Sequence, residues 1–406
     1  MRAAWFVIGF AIVGCGGDGG PAASPDAGSP DGGGGPGAVG TWTDEPGACP
    51  AGASRVDVTT AAELAAAARG EGPIADCYYI HDGDYPQSGT SPILYVTRGG
   101  TAARPVVFVG QSRAGVHVRG RAAVDVGADH VELANLTLDL TGYVQSGSFN
   151  TVTILADHVT LRRTTLTGDC ATGLRGGAVE VDGGDDALIE DNLIERFGQC
   201  AADGHLDHGV YLASGARLTV RNNLIRGNSS RGIQLNTEGG AFGTLADVVI
   251  ERNRITGNGH RDYEDGIVVN GSGTGTIAGL AIRRNVIDGN YYSGVRFVGD
   301  VITGVTVDHN TLYANGAAST APGRSELNLD DGTPVGTVTR NLVVPARTLI
   351  NTCAAGLAVT DNLVHGDATG GCVSGTVDVD PGFVDAAAGD FHPTAAAAQA
   401  YGAYAP

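Results

Sequence analysis

Asp207-His208, Arg231 and Asp265 fall at equivalent points of successive sequence copies. If those copies stack as neighbouring coils, an acid, an imidazole and a guanidinium stand roughly 5–10 Å apart. An arginine or a bound cation then neutralises a carboxylate, and His208 or Arg231 takes the proton from the adjoining carbon. Paired carboxylates such as Asp207 and Asp265 could instead serve glycosidic hydrolysis. Asp262, Glu264 and Asp265 offer the oxygen ligands that calcium prefers, and Ca2+ is the one cofactor the residues suggest. Glu180, Tyr211, Gln234 and Arg296 occupy outward strand positions, with Tyr292 and Arg324 in the column just before that of His208, and form the candidate substrate-binding set. The bland alternative is that an outward strip of a soluble sheet is polar whatever its use.

These columns come from a repeat. Segments such as Leu188 to Ile194, Leu218 to Asn228, Val248 to Asn258, Leu280 to Asn290 and Val305 to Asn315 share an apolar alternation that runs into an asparagine. Asn192, Asn223, Asn253, Asn285 and Asn310 mark that corner, and weaker copies carry Asn135, Thr164, Asn341 and Asn362. From Asn135 to Asn362 the spacings are 29, 28, 31, 30, 32, 25, 31 and 21 residues. Alternation over four or five positions indicates short half-buried strands. The asparagine turns the chain sharply, because its side chain tolerates left-handed backbone, and stacked copies can form an amide ladder. A Gly-Asn pair five residues on marks a second corner. A third strand follows, as in Val179–Val181, Val210–Leu212, Ile233–Leu235, Ile267–Val269, Val295–Phe297 and Leu327–Leu329.

Aligning these third strands puts Gly177, His208, Arg231, Asp265, Ser293 and Ser325 in one column. Gly176, Asp207, Ser230, Glu264, Tyr292 and Arg324 precede them, and Glu180, Tyr211, Gln234, Val268, Arg296 and Asn328 point outward. A column beyond reads Asp182, Ala213, Asn236, Asn270, Val298 and Asp330. Three short strands in 21 to 32 residues make one turn of an all-β, right-handed parallel β-helix of about nine or ten coils. A leucine-rich horseshoe needs a helical leg and a propeller needs four strands per blade, and neither is readable here. Ahead of the coils, Thr59 to Ala68 reads as a short capped helix that covers the N-terminal mouth.

Composition agrees. Apolar residues make up 42% and aromatics 6%, which suits a narrow core of Val, Ile, Leu and Ala, and the 65 glycines have no collagen period. The net charge of −19, without a basic stripe, excludes nucleic acid as a partner. All 25 basic residues are arginine.

Residues 1–14 combine a charged start with a short apolar run and read as a signal peptide. Ile12-Val13-Gly14-Cys15 resembles a bacterial lipobox, in which Cys15 becomes the lipidated residue. Gly16, where that family uses Asp for inner-membrane retention, points to the outer membrane, on the cell surface or facing the periplasm. Residues 15–41 are then the lipidated cysteine and a flexible tether, reaching roughly 25–30 Å. The lipid would be the only membrane contact, and the chain is expected to be a monomer. The expected organisation continues with a cap and first coils over 42–120, the β-helix over 121–380 and a closing segment over 381–406. Six further cysteines are an even number for an oxidising compartment. Cys170 and Cys200 lie about one coil apart, and Cys353 and Cys372 a shorter coil apart. Coils stacked about 4.8 Å apart bring such pairs within disulfide range, leaving Cys49 with Cys77.

Ala61-Ala62-Glu63-Leu64 followed by Ile80 to Tyr85 is similar to the opening of secreted right-handed β-helix proteins related to polysaccharide lyases. Gly100 to Val107 resembles the segment that begins coil stacking in the alginate lyase and chondroitinase B-like branch. Asp380 to Asp385 with Gly389 to His392 resembles the closing segment of many such surface proteins. The resemblance covers roughly residues 56 to 402 and implies a protein acting on or binding polysaccharide, with uronan β-elimination as one activity. A non-catalytic glycan-binding, adhesive or structural role is the alternative. Lyases of this fold commonly use lysine or arginine as base. With no lysine present, only an arginine or histidine base carries over.

Overall fold

The computed structural model describes residues 39–41, 44–143, 150–170, 176–199, 207–237, 243–272, 274–368 and 371–406. The signal segment, Cys15, most of the tether and Cys200 lie outside the described residues.

Short parallel strands stack into three sheets, one strand per coil. The first runs from Arg55–Val58 to Val373–Ser374 and the second from Gly83–Pro86 to Leu363–Val364. The third has nine strands on its main path, from Leu94–Val96 to Leu327–Gly332, so the chain is a right-handed parallel β-helix of about nine turns. Inward positions carry branched aliphatics with no exposure, such as Ile189, Val220, Ile250 and Ile282 in the first sheet. Ile194, Ile225, Ile255 and Ile287 do the same in the second. Such side chains suit the pleat, and each inward position stacks on its equivalent in the next coil.

The asparagine corner is a continuous ladder from Asn192 to Asn362. Asn192 Oδ1 accepts Thr164 N, and from Asn223 on each Oδ1 accepts the backbone and side-chain amides of the asparagine one coil earlier, as Asn253 does from Asn223 N and Nδ2 (both 2.9 Å). Two details differ from expectation. The left-handed residue is the one before the asparagine, as in Asn222 (φ 53°), Arg252 (55°) and Arg284 (54°), which frees the asparagine side chain to point inward. Asn135 is itself left-handed (φ 57°) and stands opposite Arg163, so it is not a ladder member. Leu136 holds the ladder position there, opposite Thr164, and Asn135 Nδ2 donates to Gly110 O (2.9 Å). The Gly-Asn corner makes a second ladder through Asn228, Asn258, Asn290 and Asn315.

Many arginines are accounted for on the outer face of the first sheet. Arg162, Glu190, Arg221, Glu251, Arg283 and Asp308 alternate in charge from coil to coil. Arg221–Glu190 is 2.7 Å and Arg283–Glu251 2.8 Å.

The helix Ala61–Ala68 starts at Thr60, which forms a capping box with Glu63, and buries Leu64, Ala67 and Ala68 over the N-terminal end of the core. At the other end the chain runs back along the second sheet. Phe391 and Ala403 pack with Val286, and Gly402 N donates to Arg340 O (3.0 Å). The disulfides Cys49–Cys77 and Cys353–Cys372 form as expected, each with Cα atoms 5.8 Å apart. Cys170 is disulfide-bonded. No helix among the described residues is long and apolar enough to cross a membrane.

Candidate functional site

Strand register brings the expected residues into one strip on the third sheet. Val179, Val210, Ile233, Ile267, Val295 and Leu327 stand opposite one another in succession. His208, Arg231, Asp265 and Ser293 therefore share a column, joined through the rungs Gly209 N to Arg231 O, Gly232 N to Asp265 O and Gly266 N to Ser293 O. The column beyond holds only in part. A bulge sets Asp182 opposite Ser214 instead of Ala213, and another sets Val298 opposite Asp331 instead of Asp330.

The outward row carries polar and aromatic groups on several coils and is interrupted by the buried Val268. Glu180 is half-buried and accepts from Asn150 Nδ2 (2.9 Å), and burial raises its carboxyl above the ordinary range. On the next coil the Tyr211 ring lies 5.6 Å from the His208 ring, and its hydroxyl accepts from Asn236 Nδ2 (2.9 Å). Arg231 Nη1 donates to Gln234 Oε1 (2.8 Å). Two coils further, the Arg296 guanidinium stands 4.8 Å from the centre of the Tyr263 ring.

Asp265 lies between the two arginine-bearing coils and is fully buried. Burial pushes its carboxyl up to about 7, against the pull of Arg296 and then Arg231. Burial likewise lowers the Arg231 guanidinium from its ordinary value, opposed by Asp265 and Glu264. An uncompensated charge is costly in such surroundings, so acid and guanidiniums hold one another in balance. Arg231 and Arg296 thus differ from the first-sheet arginines, which are paired one to one at the surface.

The other expected acids are placed differently. Asp207 is 1% exposed, and its carboxylate accepts Gly176 N (2.7 Å) and Gln199 N (3.0 Å). Glu264 is fully buried and accepts His260 N (2.8 Å) and Arg261 N (2.9 Å). Both satisfy turn amides, as buried backbone donors require. Asp262 accepts from Ser319 Oγ (2.6 Å) on another turn. Asp262, Glu264 and Asp265 therefore do not converge, and among the described residues no three His, Cys, Asp or Glu side chains are grouped to hold a metal ion. Neighbours in sequence here point in different directions, which the sequence alone could not reveal. Tyr292 is 1% exposed and donates to Pro322 O (2.7 Å), and Arg324 Nη1 donates to Ala321 O, so both brace a loop.

Two residues escaped sequence reasoning. Glu326 ends the second ladder by accepting Asn315 N (3.1 Å) and Nδ2 (2.5 Å), and burial pushes it up to about 8. Its signal was present: it occupies the position that is Gly209, Gly232, Gly266 and Gly294 in the preceding coils. Tyr263 carries no repeat signal, because it sits in a turn of irregular length.

A family model described as a right handed beta helix region matches residues 143–312. No curated protein matches the sequence. Among solved structures, the chain is similar to the A-module of a mannuronan C-5 epimerase from Azotobacter vinelandii, at 16% identity and a TM-score of 0.48. That match covers 79% of this chain and 94% of the other. It is similar to an alginate lyase at 15% identity and a TM-score of 0.46, covering 86% of this chain and 56% of that one. A pectate lyase matches at 14% identity and a TM-score of 0.48, with 76% and 74% covered.

Proposed function

We propose that this protein binds an acidic polysaccharide along the outward strip of the third sheet and removes the proton beside a uronate carboxylate, leading to β-elimination. One observation carries the reading. An imidazole and a phenol in ring contact, His208 and Tyr211, share a sheet face with two guanidiniums, Arg231 and Arg296, set about one buried carboxyl, Asp265. Guanidiniums neutralise a uronate carboxylate and so ease loss of the adjoining proton. Imidazole, whose ordinary pKa lies near neutrality, is suited to take it. Asn236 holds the Tyr211 hydroxyl in place next to the imidazole. Glu180, Gln234 and Tyr211 line the remaining contacts with the chain of sugars.

Export fits this role. The two disulfides between described cysteines suit an oxidising compartment, and a lipidated Cys15 ahead of the tether would hold a monomeric domain at the outer membrane. The test is incubation of the purified protein with a panel of polyuronates, following the ultraviolet absorbance of unsaturated ends. His208→Ala and Arg231→Ala should each lower that rate by about a hundredfold or more. Retention on a uronate column without product would make the strip a binding surface only. Neither retention nor product would leave a structural envelope role.

A further inference from the structure

Tyr263 is 48% exposed, on the turn that leads into the column of Asp265. Its backbone lies in the left-handed region, at φ 69°, where a bulky side chain is disfavoured. The surrounding turn holds it there. The buried Glu264 carboxylate clips the amides of His260 and Arg261, and a Cβ on Gly259 would meet Glu264 Cβ at 2.7 Å. The hydrogen bond from Ser319 to Asp262 ties the same turn to the one two coils on. The ring is fixed as well, by the Arg296 guanidinium 4.8 Å from its centre and by the Tyr292 ring at 4.9 Å. Glycine would take this backbone without strain, and that relief offsets what the ring gains from these two contacts, so stability alone does not select an exposed aromatic here.

We infer that Tyr263 is a binding platform on which one sugar ring of the acidic polysaccharide stacks, with Arg296 behind it favouring an acidic residue over a neutral one. The inference rests on the polysaccharide reading above. The C–H face of a pyranose is apolar and slightly positive, which matches the negative face of an aromatic ring. The guanidinium adds positive potential behind that ring, and a uronate gains from it where a neutral sugar does not.

Full-length wild type, Tyr263→Phe and Tyr263→Gly are compared by affinity electrophoresis in polymannuronate and polygalacturonate, with dextran as the neutral polymer. Melting temperature is measured alongside. Phe should bind within about twofold of wild type and Gly about tenfold more weakly. Gly should melt within a few degrees of wild type, because relief of the left-handed strain offsets the lost ring contacts. Unchanged binding by Tyr263→Gly overturns the inference while leaving the polysaccharide reading intact. Weak binding that comes with a much lower melting temperature overturns it too, since the side chain would then be structural. Equal losses on dextran and the uronates overturn the selection of acidic sugars. If neither uronate retains the wild type, the polysaccharide reading falls and the inference with it.

Discussion

Replacing Asn253 by leucine keeps the branched shape and heavy-atom count of a fully buried side chain and removes four hydrogen bonds. Asn253 Nδ2 donates to Val220 O (2.8 Å) and Asn285 Oδ1 (3.0 Å), and its Oδ1 accepts Asn223 N and Nδ2 (both 2.9 Å). Asn285 Oδ1 keeps the Asn253 amide, and Asn223 Nδ2 keeps Ile189 O and Arg221 O. Asn223 N and Val220 O lose their bonds to this side chain inside the corner. At about 1–3 kcal/mol for each of the two stranded groups and about 1 kcal/mol for the rest, the loss comes to about 5 kcal/mol. Asn135 is the internal control. It is 3% exposed and also looks like a corner asparagine in sequence, but it makes one side-chain bond, to Gly110 O. Asn135→Leu gives up that one bond, about 1 kcal/mol, and places leucine in left-handed backbone, about 1–2 kcal/mol more, so it should cost about 2–3 kcal/mol. Urea unfolding followed by far-ultraviolet circular dichroism measures both, with m-values checked because coils can unfold in sections. Equal costs at the two positions, or a cost at Asn253 below about 1 kcal/mol, would refute the ladder as a source of stability.

Two further outcomes follow from burial and chain connectivity. Asp265 at about 7 and Glu326 at about 8 keep protons in the folded state that the unfolded chain releases near 4. Stability from each is complete below the unfolded value and falls as pH rises through the folded one, by about 1.4 kcal/mol per pH unit and on the order of 4 kcal/mol in total. Asp265→Asn and Glu326→Gln should each flatten the decline in urea midpoint between pH 5 and 8, and a wild type that gains stability over that range contradicts the assignment. Cys353→Ser with Cys372→Ser opens a link spanning 19 residues and should cost about 2–3 kcal/mol. A midpoint unchanged from wild type, under conditions that keep the native disulfides, would remove that pair from the stabilising set.

The fold was legible because a solenoid writes its geometry into period. Each coil buries the same faces, so Asn223, Asn253 and Asn285 recur wherever the corner does. Column membership of His208, Arg231 and Asp265 was legible for the same reason, since strand register follows the apolar pattern. Errors arose where the period breaks. Asn135 looks like a ladder residue, but the register places it one position early. The bulges at Asp182 and Val298 shift the outermost column by one residue.

What the sequence determined by itself is the repeating part: the coil, its inward aliphatics, its asparagine corners and the two disulfides Cys49–Cys77 and Cys353–Cys372. Only the tertiary structure decided which polar residues in those columns face the strip and which face the chain's own backbone. Asp207 and Glu264 stand in the same column and both turn to backbone amides, Asp207 to those of Gly176 and Gln199 and Glu264 to those of His260 and Arg261 in its own turn, while Asp265, one residue on from Glu264, lies between two guanidiniums. The physical reason is that buried backbone donors must be satisfied, and the donors that claim a carboxylate sit in turns of irregular length, whose path the repeat does not set.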